Sequence, residues 1–92
     1  MIKGFRHKGL QRFFETGSKS GIQSQHVTRL RLMLSRLDDA TAAGDMDAPG
    51  WKLHELKCDL KGHCAVWVDG NMRLTFAFEG QDAIEVDYRD YH

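Results

Sequence analysis

The 92-residue sequence predicts a single α+β domain, with two N-terminal helices packed on one face of a mainly antiparallel sheet of four or five strands. Two observations carry this. Apolar residues recur at helical spacing as far as Gly44 and alternate at strand spacing after Gly50. The changeover falls in "GDMDAPG", which holds the only proline of the chain. Hydrophobic residues make up 41% of the chain, which suits a folded core and not a disordered segment.

Each element has a local reason. "IKGF" reads as a short opening strand. Leu10, Phe13 and Phe14 then share a helical face, and Gly17 stops that helix. The polar linker "GSKSGIQ" leads to Ser24, a good N-cap for a second helix. That helix places Val27, Leu30, Leu34 and Leu37 on one stripe and runs to Gly44. In "WKLHEL", Trp51 and Leu53 face away from Lys52 and His54. "HCAVWVD" is apolar on both faces, as a central strand should be. "MRLTFAFE" sets Met72, Leu74, Phe76 and Phe78 against Arg73, Thr75, Ala77 and Glu79. "AIEVDY" assigns Ile84, Val86 and Tyr88 to the core face.

The net charge of zero conceals a polarity. Up to Arg36, eight basic residues stand against Glu15 alone, a balance of +7; beyond it five basic residues face twelve acids, a balance of −7. The basic half is either a surface that meets nucleic acid or a set of solvated helix faces, and charge alone does not choose. No apolar run is long enough to cross a membrane and "MIKGFRHKG" lacks the apolar block of a signal peptide, so a cytoplasmic chain is expected. Cys58 and Cys64 are expected reduced, Cys64 as a small core residue. His54, Cys58, His63 and Cys64 match no pair-of-pairs zinc spacing, so no metal and no cofactor is assigned.

If these registers hold, the sheet face away from the helices is wet. It collects Lys52, His54, Arg73, Thr75 and the end of the last strand, where the sequence reaches "YRDYH"; Lys57 follows shortly after His54. Singly, each has a plain reading: a surface histidine, an arginine paired with a neighbouring acid, a tyrosine capping the core. Together they suit phosphoryl chemistry on RNA. RNA carries its own nucleophile, the 2′-hydroxyl, beside the phosphate. Histidine serves as acid or base near neutral pH, and Lys and Arg balance charge on phosphate oxygens. Arg29 and Arg36 lie off the Leu30–Leu34 stripe, on a face that is either solvated or RNA-contacting.

Four stretches, "MIKGFRHKGLQRFFETG", "KLHELKCDLKG", "NMRLTFAFEG" and "DYRDYH", together resemble the HigB toxins of the RelE superfamily of bacterial toxin–antitoxin systems, across essentially the whole chain. The resemblance implies a RelE-like microbial RNase toxin fold and a ribosome-dependent mRNA interferase that cuts mRNA in the ribosomal A site. It places the working residues at His54, Lys57, Arg73, Asp90, Tyr91 and His92. His54 and His92 would transfer protons, in an order left open. Lys57 and Arg73 would stabilise the phosphorane, and Asp90 and Tyr91 would position His92 and the nucleotide. Lys8, Arg12, Lys19, Arg29 and Arg36 then acquire a target in ribosomal RNA. The implied partners are the 70S ribosome, mRNA and a HigA-like helix-turn-helix antitoxin, through which alone operator DNA would be bound. The rival readings are a non-catalytic RNA- or ribosome-binding regulator and a structural subunit of a repressor complex.

Overall fold

The computed structural model describes residues 1–53 and 62–90. Helix α1 spans Lys8–Thr16 and helix α2 spans Val27–Asp39, with short 3-10 turns at Ser24–His26 and Ala43–Met46. Strands β1 (Cys64–Trp67), β2 (Met72–Glu79) and β3 (Asp82–Asp90) form one antiparallel sheet in chain order.

Local chemistry fixes the helix ends. The His7 ring accepts the Leu10 amide at 2.9 Å and so caps α1. Gly17, at φ 79, ends α1 by donating its N–H to the Phe13 carbonyl. Ser24 opens the 3-10 turn and not α2 itself, which begins at Val27 after His26 and ends at Asp39, well short of Gly44. On α2 the buried stripe is Leu30, Met33, Leu34 and Leu37, with Val27 packed at its margin.

The helices meet the sheet through one cluster. Leu10, Phe13, Leu30, Met33, Leu34 and Leu37 pack with Val66, Leu74, Phe76, Val86 and Tyr88. This is the predicted α+β arrangement with fewer strands than expected. The opening segment runs parallel beside β3 through bridges Ile2↔Ala83 and Phe5↔Val86 and forms no strand of its own. Of "WKLHEL", only Trp51–Leu53 fall among the described residues; the Trp51 carbonyl accepts the Trp67 N–H at 2.9 Å, against the flank of β1.

Three expectations are corrected. Ala83, and not Ile84, joins Val86 and Tyr88 in the core. A bulge opposite Phe76, with Glu85 at φ 53, inserts one extra residue and flips the alternation of β3. The second face of β2 is not wet: Arg73, Thr75 and Ala77 are all buried. Cys64 is buried and disulfide-bonded, not reduced; the other end of that bond lies outside the described residues.

Candidate active site

The face of the sheet turned from the helices carries a row across three strands. Trp67 on β1 opposes Arg73 on β2, and Arg73 opposes Arg89 on β3. Residues directly opposite share a face, so the register brings these side chains together. The Arg73 guanidinium lies over the Trp67 indole, its Cζ 4.2 Å from the ring centroid. Its Nη1 donates to the Asp69 carbonyl at 2.7 Å and to the Met72 carbonyl at 3.2 Å. Lys52 approaches the same indole, with Nζ 4.1 Å from the centroid.

The turn that holds Arg73 is itself anchored. Asp69 Oδ1 accepts the amides of Asn71 at 2.8 Å and Met72 at 2.7 Å, an Asx turn that closes "VDGNM". Those bonds, the Met72 N–H foremost and His26 next, hold the Asp69 carboxyl down at about 2, against an ordinary value of 3.8. His26, almost wholly buried, places Nε2 2.5 Å from Asp69 Oδ2 and Nδ1 2.5 Å from the Tyr88 hydroxyl. A neutral ring satisfies both: Nε2–H donates to the carboxylate and Nδ1 accepts the phenol. Burial raises the Tyr88 pKa, which keeps that phenol a donor. The chain from Tyr88 through His26 to Asp69 thus ties the helical layer to the turn beneath Arg73.

The predicted site residues fall into three groups. Arg73 is on the expected face, but buried against Trp67 and not in solvent. Asp90 is exposed and opposes Met72, so its register is with the helix-side face; the residue beside Arg73 is Arg89. His54, Lys57, Tyr91 and His92 lie outside the described residues.

The predicted RNA-contacting cations also divide. Lys8, Arg12 and Lys19 are exposed on α1 and the linker after it. Arg36 is exposed, but donates Nε to the Asp45 carbonyl at 2.7 Å and lies over the Trp51 ring. Arg29 is committed further: Nε and Nη2 donate to the Trp67 carbonyl at 3.1 and 2.9 Å, and Nη2 also to the Gly50 carbonyl at 2.9 Å. It pins α2 to the end of β1 and thereby fixes Trp67.

Sequence reasoning missed His26, Asp69, Trp67 and Arg89. "DGN" before a strand is an Asx-turn signal that could have singled out Asp69. The pairing of His26 with Tyr88 left no such trace, being a contact between distant parts of the chain.

An α+β domain with an arginine-bearing sheet face and two basic helices fits a small toxin that acts on RNA. The sequence matches, over residues 3–92, the family model described as HigB-like toxin, a RelE-like toxin of type II toxin–antitoxin system HigB. It is 44% identical over 92 residues to Endoribonuclease HigB of Proteus vulgaris, covering 100% of both chains. The chain belongs to the HigB-like family of RelE-like toxins from type II toxin–antitoxin systems.

Proposed function

We propose that this chain is a ribosome-dependent endoribonuclease that cuts mRNA in the ribosomal A site and so stops translation. The observation that carries the reading is the end-to-end identity with a protein named as an endoribonuclease. The fixed guanidinium of Arg73 adds to it, because charge developing on a phosphorane is best met by a donor that need not reorganise.

In the proposed reaction the 2′-oxygen forms a bond to the adjacent phosphorus as the bond to the 5′-oxygen breaks. This leaves a cyclic phosphate and a 5′-hydroxyl. Of His54 and His92, one takes the 2′-proton and the other gives a proton to the leaving oxygen. Lys57 and Arg73 balance the charge on the non-bridging oxygens, while Asp90 and Tyr91 orient His92 and the nucleotide. These steps require no metal. Lys8, Arg12 and Lys19, with Arg36 and the less accessible Arg29, would meet ribosomal RNA.

Membership of a type II toxin family implies an antitoxin partner. We propose a HigA-like helix-turn-helix protein, with operator DNA reached only through that complex. Among the described residues no helix is long and apolar enough to cross a membrane. A ribosomal target places the proposed activity in the cytoplasm.

The test is primer extension on a reporter mRNA in a translating bacterial extract, comparing the wild type with His92→Ala, with and without ribosomes. Discrete in-frame cuts that need both ribosomes and His92 are expected. Stalling without cuts would favour the non-catalytic binding reading, and cuts in naked RNA would remove the ribosome from the mechanism.

A further inference from the structure

Two carbonyls of the turn into β2 accept hydrogen bonds from the Arg73 guanidinium. Nη1 reaches the Asp69 carbonyl at 2.7 Å and the Met72 carbonyl at 3.2 Å. A donor that acts on developing charge is useful only where its direction is already set. With 7% exposure, Arg73 takes its direction from the protein around it and not from solvent. The aim of these carbonyls therefore bears on the chemistry.

The turn that carries them is held from the helical side. Asp69 uses Oδ1 within the turn, on the Asn71 and Met72 amides, and Oδ2 outside it, on His26 Nε2 at 2.5 Å. The first pair of bonds gives the turn its shape, and the second sets where that shape sits relative to α2. His26 is a rigid post for the purpose. It is 2% exposed, its amide donates to the Gln23 carbonyl at 2.9 Å, and its ring stands edge-on to Tyr88 with centroids 5.9 Å apart. An apolar side chain at position 26 would fill the same buried space without the cost of desolvating a polar ring, so the polarity of His26 speaks for a directional task.

We propose that His26 and Asp69 are positioning residues for cleavage: the His26 ring holds the Asp69 turn so that its carbonyl aims the Arg73 guanidinium for the scissile phosphate. This rests on the RNA-cleaving reading and deepens it, since part of the control of the site then lies in the helical layer. Both residues act through Arg73 and need not touch RNA. Trp67, whose ring centroid is 4.2 Å from Arg73 Cζ, reports on the aim.

The test follows single-turnover cleavage on mRNA-programmed ribosomes, separating the rate at saturation from the ribosome concentration that gives half of it. Glutamine sets its amide nitrogen near the Nε2 position of histidine, and asparagine sets its amide near Nδ1. His26→Gln therefore keeps a donor for Asp69 and gives up the Tyr88 contact, while His26→Asn does the opposite. His26→Asn and Asp69→Ala are each expected to lower the saturating rate about 10–100-fold, the order of a misaimed donor, at an unchanged half-saturation concentration. His26→Gln should recover most of that rate although it loses stability as His26→Asn does, with folding checked by circular dichroism. Gly17→Ala, destabilised at the end of α1, should cut at the wild-type rate. In a Trp51→Phe background Trp67 is the sole tryptophan, and its emission should shift in His26→Asn and return in His26→Gln. Equal rates in the two His26 variants, a loss confined to half-saturation, or a Gly17→Ala protein slowed as much as His26→Asn would overturn the inference. A wild type that cuts nothing would overturn the cleavage reading with it, whereas a cutting wild type with equal His26 variants would sink the positioning role alone.

Discussion

The Nε2 of His26 lies 2.5 Å from the Asp69 carboxylate, joining the entrance of α2 to the turn between β1 and β2. His26 belongs to the helical layer and Asp69 to the turn that gives Arg73 its carbonyl partner. A change in this pair should therefore reach both stability and the site.

The carboxylate has a defined pH signature. Its folded pKa of about 2 lies below the ordinary 3.8, so its contribution is complete above the unfolded value and is lost as pH falls from about 4 towards 2. Urea midpoints for the wild type should drop across that window. Asp69→Asn should flatten this part of the profile and lower the midpoint at pH 7; an unaltered profile would remove Asp69 from the account.

Tyr88 and His26 should behave as a coupled pair. Tyr88→Phe leaves the buried His26 Nδ1 without its hydroxyl, which should cost about 1–3 kcal/mol. His26→Phe should cost a similar amount. In a double-mutant cycle the double variant should lose less than the two single losses combined, because the second change removes a group already orphaned. Strict additivity, measured by denaturant unfolding, would show that the two do not interact.

Arg29 should act through the fold before it acts on RNA. Removing donors from the Trp67 and Gly50 carbonyls in Arg29→Ala should destabilise by about 1–2 kcal/mol, and Arg29→Lys should recover little because the fork is lost. Lys8→Ala and Arg12→Ala, exposed on α1, should leave unfolding within about 0.5 kcal/mol of wild type. If Arg29→Ala instead weakens ribosome binding at full stability, its sequence-derived role stands alone.

Gly17 gives a backbone test with no contacts to confuse it. Its φ is 79, and a methyl group added at its α-carbon would meet nothing within 4 Å. Gly17→Ala should therefore cost about 1 kcal/mol from the left-handed conformation alone, and Gly17→Asn less. Thermal unfolding of the three proteins would decide it.

The sequence is most readable where periodicity speaks. Met72, Leu74 and Phe76 on one side of β2 and Arg73 on the other follow from alternation, and the structure agrees. Alternation says which side a residue takes and not what packs against it, so the burial of Arg73 against Trp67 leaves no mark in the sequence. The bulge at Glu85 is a single inserted residue with no period of its own, which is why alternation gives Ile84 the place that Ala83 holds. The His26–Tyr88 contact depends on how distant segments dock. The terminal residues resembling the family's catalytic set stand out by motif, a signal independent of packing.

The opening segment has a further consequence through its parallel bridges. The Lys3 and Arg6 amides donate to the Ala83 and Val86 carbonyls at 2.8 Å, and those residues return their own amides to Met1 and Gly4. Ile2 is held in addition by Asp38 at the end of α2. The first half of the outer rim of β3, about Ala83 and Val86, is thereby occupied by the protein's own backbone, and a second copy finds those amides already paired. A toxin accumulating beyond its antitoxin would be guarded along that half of the rim against strand-to-strand self-association.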